Sequence, residues 1–352
     1  MKLQKVRKSL TDSSLSALLV TNPYSRRYLT GFTGTAGVAL ITESDAFFIT
    51  DFRYTEQANA QIEGYTIIEQ KNTLIEAVAE VVKEHQLTKV GFEQEAMSYA
   101  EYDRYQKALE TELVPTSGIV EKIRLIKSED ELTIIKHACK IADDAYEHIL
   151  TFIKPGMTEL DVSNELEFFM RKQGATSSSF DIIVASGVRS ALPHGVATHK
   201  VIESGDFVTL DFGAYYNGYV SDVTRTLAVG EPTDQLKEIH QVVLESQLLA
   251  LEKIKPGMTG KEADAISRDY IASKGYGQAF GHSLGHGIGL EVHEGPGLSS
   301  RSDVVLEPGM VITIEPGIYL PGIGGVRIED DALVTETGVE KLTHTSKELV
   351  IL

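Results

Sequence analysis

A six-residue motif that occurs twice in this 352-residue sequence constrains the fold more than any other feature. Ile153-Lys-Pro-Gly-Met-Thr158 returns as Ile254-Lys-Pro-Gly-Met-Thr259, 101 positions later. A Pro-Gly pair ends a helix, and each copy is followed by an amphipathic stretch typical of a second helix. A glycine stands 16 residues beyond each threonine, at Gly174 and Gly275, where each second helix is expected to end. The motif therefore predicts two copies of one helical hairpin.

The repeat extends into the segments that follow each hairpin. Residues 203–215 align with residues 307–319 at an offset of 104, and five of the thirteen positions are identical. A period of about 100 residues is too long for a solenoid, so each copy is half of a domain. The second part of the chain is therefore predicted to be a pseudo-two-fold α+β domain, with its site where the halves meet.

The first part of the chain has a different pattern. Short apolar runs alternate there with amphipathic stretches, which indicates an α/β domain. The runs are residues 17–20, 38–41, 46–49, 66–69 and 89–92. Pro115-Thr-Ser-Gly118 is predicted to be a linker, and Ser128-Glu-Asp-Glu131 is a capping box that begins a long helix. We therefore expect an N-terminal domain over residues 1–122 and a second domain over 123–352.

Composition excludes several classes of protein. The chain has 33 Lys and Arg against 51 Asp and Glu, a formal net charge of −18, which disfavours nucleic acid as a partner. No apolar run approaches the length of a membrane span, and the N-terminus lacks the apolar region of a signal peptide. The one cysteine, Cys139, falls in the apolar stripe of the long helix and is expected to be buried and inert. We expect a cytoplasmic protein with no membrane partner.

Two acids belong to the first predicted β-hairpin. Asp211 interrupts a strand of Val, Thr and Leu, where a carboxylate is costly unless it is paired or binds a metal. Asn217-Gly218 is a type I′ turn signal, and a two-residue turn there pairs residue 211 with residue 224. Asp222 would then face the same side of the hairpin as Asp211.

The second copy presents two more acids. Glu315 aligns with Asp211, and Glu315 and Glu329 flank a glycine-rich loop symmetrically about residue 322, as cross-strand neighbours would. Four carboxylates in one cavity cannot all stay ionised without cations, so we predict divalent metals. His282, His286 and His293 lie between the two hairpins and move the preference towards Mn²⁺, Fe²⁺, Co²⁺ or Zn²⁺. A helical zinc-protease motif at residues 282–286 is rejected, because glycines interrupt it and no Glu follows the first His.

At these residues the sequence resembles the pita-bread metallopeptidases, which include methionine aminopeptidases, aminopeptidase P and prolidase. The resemblance extends from about residue 120 to the C-terminus. Within the family, the motifs match the branch that cleaves Xaa-Pro bonds. The matching motifs are Leu192-Pro-His194-Gly, Asp211-Phe-Gly, Ser221-Asp222-Val-Thr-Arg-Thr, Gly281-His282-Ser-Leu-Gly-His286-Gly-Ile-Gly, Val292-His293-Glu, Thr313-Ile-Glu315-Pro-Gly-Ile-Tyr and Gly325-Val-Arg327-Ile-Glu329-Asp. The preceding domain resembles the creatinase-type N-terminal domain of that branch.

The resemblance implies a dinuclear site and assigns its residues. One metal ion would be held by Asp211 and the other by His286 and Glu315, with Asp222 and Glu329 as bridges. Mn²⁺ is the expected metal, with Co²⁺ or Zn²⁺ as alternatives. The family mechanism is attack of a metal-bridged hydroxide on the bond between an N-terminal residue and proline, with Glu315 as proton acceptor.

The same resemblance assigns substrate contacts and a quaternary state. His194 and His293 would contact the tetrahedral intermediate and the proline side, His282 would line the pocket, and Arg327 would orient ligand carboxylates or the substrate. Relatives commonly associate through the N-terminal domain, so a homodimer is expected.

Three alternatives stay open at this point. Within the Xaa-Pro branch, the sequence does not distinguish aminopeptidase P from prolidase, and Arg301 is either a clamp for a dipeptide carboxylate or an exposed loop residue. A creatinase-like amidinohydrolase shares the fold but lacks the five metal ligands. A non-catalytic binding module on the same fold would have a degenerate site, whereas His194 and His293 are present here.

Overall fold

The computed structural model describes residues 2–352 and divides the chain into two compact units. One unit ends at Arg124 and the other spans Leu125–Leu352. Within residues 2–352, no helix combines the length and the apolar character that crossing a membrane requires.

The first unit is built around a mixed six-stranded sheet of order β4-β3-β2-β1-β5-β6. Its elements are α1 (Lys2–Asp12), β1 (Ala17–Val20), α2 (Pro23–Thr30), β2 (Val38–Thr42), β3 (Ala46–Thr50), α3 (Thr55–Gln61), β4 (Thr66–Glu69), α4 (Leu74–Glu84), β5 (Lys89–Glu93), α5 (Tyr99–Ala108), β6 (Glu112–Thr116) and α6 (Ile119–Arg124). The alternating pattern of the sequence is thus confirmed as an α/β unit. Strands β1, β2 and β3 are buried at every position, which explains why they read as continuous apolar runs.

The predicted linker at residues 115–118 is wrong in part. Pro115 and Thr116 belong to β6, where they pair with Phe92 and Glu93 of β5. Because β6 is an edge strand, the missing N–H of a proline is tolerated there.

The second unit alternates long helices with short, paired strands. Its elements are α7 (Glu129–Phe152), α8 (Glu159–Lys172), β7 (Ser177–Ser178), β8 (Ile183–Ser186), a 3₁₀ turn (Gly187–Ala191), β9 (Asp206–Phe212), β10 (Ala214–Tyr216), β11 (Tyr219–Val220), β12 (Val223–Val229), α9 (Asp234–Lys253), α10 (Gly260–Ser273), a second 3₁₀ turn (Gly277–Ala279), β13 (Gly285–Gly287), β14 (Glu294–Leu298), β15 (Val311–Ile314), β16 (Gly317–Leu320), β17 (Gly324–Arg327), β18 (Asp330–Val334) and β19 (Val339–Lys341).

The predicted internal repeat is present as matched helices. Helices α7 and α9 end at Phe152 and Lys253, immediately before the two Ile-Lys-Pro-Gly-Met-Thr motifs. Thr158 and Thr259 each begin the next helix with a capping box, in which the threonine side chain accepts a hydrogen bond from the N3 backbone N–H and the N3 acid side chain accepts one from the threonine N–H. The same local chemistry therefore produces both hairpins.

The strands repeat in the same way. In the first copy β9 pairs with β12, and beyond this pair the two strands are joined by the β10–β11 hairpin. In the second copy β15 pairs with β18, and beyond this pair the two strands are joined by the β16–β17 hairpin. The ladder is interrupted in each copy between the strand pair and its hairpin. Asp222 and Glu329 both lie at these interruptions, on the returning strand.

The buried stripe of α7 anchors the first half of this unit. The apolar stripe in which the sequence places Cys139 is buried along its length, at Leu132, Ile135, Cys139, Ala142, Tyr146, Ile149 and Ile153. Part of this stripe packs with α8, β8, β9 and β12 into one apolar cluster. Burial of Cys139 is confirmed, and the apolar surroundings raise the pKa of its thiol, which keeps it protonated.

Candidate metal centre

All nine predicted site residues line a single cavity of about 500 Å³ in the second unit. They are His194, Asp211, Asp222, His282, His286, His293, Glu315, Arg327 and Glu329. The volume falls within the range of small-molecule sites, about 300–1,000 Å³. The roles that the family resemblance assigns to these residues remain predictions.

The first hairpin delivers Asp211 and Asp222 as its register predicted. Asp211 pairs with Thr224, and the turn at Asn217-Gly218 pairs Tyr216 with Tyr219. The chain can fold back this closely because residue 213 is glycine, where a Cβ atom would lie 1.8 Å from the carbonyl oxygen of Ser221. The Oδ1 atoms of Asp211 and Asp222 are both buried without a hydrogen-bond partner in the described part of the chain.

The second hairpin places Glu315 and Glu329 opposite each other as predicted, but outside the regular strands. The register places them opposite each other, since Ile314 pairs with Asp330 and Gly317 pairs with Arg327. Neither acid is inside a strand, however, because both lie at the interruption of the ladder. The N–H of Glu315 donates to Leu284 O, and the N–H of Glu329 donates to Thr224 O of the first copy. This last bond joins the two copies at the site.

His286 is oriented towards the carboxylates by its own backbone. It lies in β13 between Gly285 and Gly287, and its Nδ1 donates to Gly287 O at 3.1 Å. Its Nε2 is thus the ring nitrogen directed at the carboxylates, 3.3 Å from Glu315 Oε1 and 3.7 Å from Asp222 Oδ2. Burial alone would lower the pKa of His286, but its hydrogen bond and charge interaction with Glu315 raise it.

These side chains present a set of atoms suited to a cation. Asp222, His286 and Glu329 each offer one ligand atom, and the three atoms lie within 4.8 Å of one another. Carboxylate and imidazole together suit first-row divalent metals. The unpartnered Oδ1 atom of Asp211 adds a further acceptor that the protein itself leaves unused. The donor set therefore fits divalent metal ions.

The electrostatics of the cavity agree with this fit. Burial, followed by the charges of neighbouring acids, raises the pKa of Asp222 and of Glu329 well above their ordinary values. Burial also raises the pKa of Asp211, although Arg327 opposes the effect. Burial would raise the pKa of Glu315 as well, but its hydrogen bond and charge interaction with His286 bring it below the usual value. Among the described residues 2–352, Arg327 contributes the one guanidinium that lines the cavity, so the carboxylates need further positive charge.

Arg327 belongs to a chain of hydrogen bonds that ends on Asp211. Its Nη2 donates to Asp211 Oδ2, its Nη1 donates to Tyr319 Oη at 2.8 Å, and its Nε donates to Thr224 Oγ1 at 3.0 Å. Since His282 Nδ1 donates to Ser283 O, its Nε2 accepts from Tyr319 Oη at 2.9 Å. Burial lowers the pKa of His282, which keeps the ring neutral as this direction of bonding requires.

The two remaining histidines lie on the more open side of the cavity. His194 and His293 are both exposed, and the His293 ring centroid is 4.3 Å from that of His286. Partial burial and the neighbouring His286 lower the pKa of His293, so it is a neutral imidazole near pH 7.

Sequence reasoning missed several residues of this cavity. The unpredicted lining includes Phe180, Asp181, Ile183, Val196, Ser283 and Val292. Tyr319 was also missed as a partner of Arg327, although it is one of the five identical positions of the repeat, which is a signal that could have identified it. Arg301 is exposed and is not among the lining residues.

Comparison with known proteins agrees with the fold and with the chemistry of the cavity. Residues 133–336 match metallopeptidase family M24, and residues 2–126 match the creatinase/prolidase N-terminal domain. The chain is 60% identical over 353 residues to an uncharacterized peptidase, YqhT, of Bacillus subtilis (strain 168), with 100% of each chain covered.

Two solved structures have the same fold throughout. A Xaa-Pro dipeptidase from Bacillus anthracis superimposes with a TM-score of 0.99 at 62% identity, covering 100% of this chain and 99% of the other. An X-Pro aminopeptidase from Thermotoga maritima MSB8 superimposes with a TM-score of 0.91 at 42% identity, covering 96% and 98%. The predicted fold and the resemblance to the Xaa-Pro-cleaving branch are confirmed. The chain therefore belongs to metallopeptidase family M24, with a creatinase/prolidase-type N-terminal domain preceding its pita-bread domain.

Proposed function

We propose that this protein is a metal-dependent Xaa-Pro peptidase that hydrolyses the bond between an N-terminal residue and proline. The observation that carries the proposal is the convergence of five potential ligands in one buried, acid-rich cavity of an M24 fold. The nature of the relatives supports the substrate class, since the two solved structures are named Xaa-Pro dipeptidase and X-Pro aminopeptidase.

The residues would divide between two divalent ions as the family resemblance implies. Asp211 would hold one ion and His286 with Glu315 the other, while Asp222 and Glu329 would contact both. We expect Mn²⁺ as the native metal, with Co²⁺ and Zn²⁺ as alternatives. When bound, such ions lower the pKa of water to near neutrality and polarise the scissile carbonyl group.

Glu315 is proposed as the acceptor of the proton that the attacking water loses. Its carboxylate is held by Thr313, whose Oγ1 donates to Glu315 Oε1 at 3.1 Å. The lowered pKa of Glu315 keeps the carboxylate ionised near neutral pH, which a proton acceptor requires.

Arg327 and Tyr319 would hold Asp211 in place. Arg327 donates to Asp211 Oδ2 and leaves the Oδ1 atom without a partner among the described residues, so that oxygen would be available to a metal ion. His194 and His293, on the open side of the cavity, are proposed to donate hydrogen bonds to the substrate carbonyl and to the proline side.

One property of an Xaa-Pro substrate and one feature of the cavity bear on the proposed specificity. A peptide bond to proline has no N–H, so a site that required that donor would reject it. The acidic residues of the cavity, which include Asp181 at its exposed edge, suit the cationic α-amino group of an N-terminal residue.

Assays of metal-free protein with added Mn²⁺, Co²⁺ or Zn²⁺ test the proposal. We expect release of proline from Xaa-Pro dipeptides in the presence of at least one of these ions. Activity on dipeptides alone identifies a prolidase, and activity on Xaa-Pro-Yaa tripeptides as well identifies an aminopeptidase P. Absence of hydrolysis of both substrate types with all three ions would refute the peptidase proposal.

A further inference from the structure

Helix α7, which contributes no residue to the cavity lining, supports the segment that carries Asp222. Tyr219 Oη donates to Glu131 Oε1 at 2.7 Å, and Ser221 Oγ donates to Ala138 O at 3.1 Å. The residues before Asp222 are thus hydrogen-bonded to this helix at two points, and all of these bonds are buried.

Asp331 completes this support from the other copy of the repeat. It lies in β18, two residues after Glu329, and its side chain is fully buried but does not line the cavity. Its Oδ2 accepts a hydrogen bond from the backbone N–H of Asp222 at 2.9 Å and one from Cys139 Sγ at 3.3 Å.

The place of this bond in the chain gives it a specific consequence. Asp222 lies where the ladder is interrupted, so its N–H has no strand partner and bonds to Asp331 instead. Asp331 is close in sequence to Glu329, whereas Asp222 is 109 positions from Asp331. One carboxylate therefore ties the backbone of Asp222 in the first copy to the strand that begins beside Glu329 in the second.

We propose that Asp331 is a positioning residue for the metal centre, because it fixes the backbone of Asp222 relative to Glu329. Cys139 assists by donating to the same oxygen, which restricts the orientation of the Asp331 carboxylate. This inference rests on the proposed function for the assignment of Asp222 and Glu329 as metal ligands. Residues that orient metal ligands typically change metal affinity by about 10–100-fold when they are removed.

Titration of metal-free, full-length protein with Mn²⁺ by calorimetry measures this effect without reference to turnover. We expect Asp331→Ala to bind Mn²⁺ about 10–100-fold more weakly than the parent. Asp331→Asn keeps an oxygen that can accept from the Asp222 N–H, so its affinity should stay within about 3-fold of the parent. Recovery by the conservative variant distinguishes positioning from a general loss of packing.

Asp143, which lies in helix α7 together with Cys139, provides a matched control. It is a buried carboxylate that accepts hydrogen bonds from the backbone N–H groups of His344 and Thr345. None of these three residues lines the cavity. Asp143→Ala should lower stability in the same manner as Asp331→Ala but leave Mn²⁺ affinity within about 2-fold of the parent.

The outcomes separate this inference from the proposed function. If the parent protein binds no Mn²⁺, Co²⁺ or Zn²⁺, the proposed function fails and the positioning role fails with it. If the parent binds Mn²⁺ and Asp331→Ala binds it equally well, only the positioning role is refuted. Affinity as weak in Asp331→Asn as in Asp331→Ala would also refute the hydrogen-bond account. Should Asp331→Ala not fold, Cys139→Ala replaces it, with an expected loss of about 10-fold, the lower end of the range for residues that orient metal ligands, and with affinity within about 3-fold of the parent as the contrary result.

Discussion

Glu329 and Asp330 are adjacent buried acids, and their surroundings are opposite in charge. Asp330 is enclosed by cations: Arg225 Nη2 donates to its Oδ1 at 2.7 Å and Lys347 Nζ to its Oδ2 at 2.7 Å. These partners outweigh burial and lower the pKa of Asp330 to about 2. Glu329 faces other acids instead, and burial together with their charges raises its pKa well above the usual value.

The difference shows which buried charge the fold neutralises by itself and which it leaves for an external cation. Asp330 also accepts hydrogen bonds from Gln247 Nε2 and Thr343 Oγ1, so its lone pairs are used within the protein. In the cavity, by contrast, Oδ1 of Asp211 and Oδ1 of Asp222 have no partner among the described residues. We therefore regard the Asp330 cluster as structural and the cavity as a binding site.

Asp222→Asn should have the largest effect, and it should reduce function without lowering the stability of the metal-free protein. Loss of the proposed bridging ligand is expected to reduce turnover by at least on the order of 10³-fold and to abolish loading of both proposed metal ions. The stability of the metal-free protein should be unchanged or higher, because one charge leaves a crowded acidic cavity. Peptidase assays, metal analysis and urea denaturation measure the three quantities. A fully active variant with normal metal content would contradict the bridging role.

Asp330→Asn is the same chemical change in the charge-paired region and should act on stability. It leaves the buried Arg225 and Lys347 side chains without their carboxylate, which typically costs about 3–5 kcal/mol. Urea denaturation of metal-free protein tests this expectation. The control is Asp144→Asn, since Asp144 forms a solvent-exposed pair with Lys140 and should contribute less than about 1 kcal/mol. Equal destabilisation by the two variants would remove the contrast between the regions.

Metal addition should stabilise the protein through the cavity. Binding to the folded state alone adds about 2.7 kcal/mol at a free metal concentration of 100 times Kd. Thermal or urea unfolding with and without Mn²⁺ measures the gain. Asp330→Asn should retain this gain and Asp222→Asn should lose it; the reverse pattern would show that the two regions have been assigned to the wrong roles.

His240 extends the comparison to a buried base. It lies in α9, its Nε2 has no hydrogen-bond partner within residues 2–352, and burial lowers its pKa to about 4. Because the folded pKa is below the unfolded value of about 6.5, the unfolded state takes up the proton first and stability falls as pH decreases. The expected contribution is about 2 kcal/mol between pH 7 and pH 5.

Comparison of His240→Gln with the parent isolates this contribution from all other titrating groups. The free energy of unfolding of the variant, measured in urea, should decrease less than that of the parent between pH 7 and pH 5. Parallel pH profiles for the two proteins would show that His240 is not the group responsible.

Local patterns predicted much of the fold correctly because the interactions involved are local. The capping boxes at Ser128, Thr158 and Thr259 each require residues only three positions apart, and all three helices begin there. The Asn217-Gly218 turn predicted the pairing of Asp211 with Thr224 because a two-residue turn sets the register of the whole hairpin. At Pro115 the local signal failed, since a proline is compatible with both a linker and an edge strand.

By itself, the sequence determined that two similar half-domains would bring four carboxylates and a set of histidines to one place. The repeat and the polar residues within apolar strands carried that information, because burying an acid is costly enough to mark it. Tertiary structure alone decided how each acid is neutralised: Glu329 and Asp330 are neighbours in sequence, yet one faces acids and the other faces Arg225 and Lys347. The partners that make this difference, like the bond from Asp222 to Asp331, join residues up to 109 positions apart. No periodicity or local motif specifies such pairs, so they exist only once the two copies have packed together.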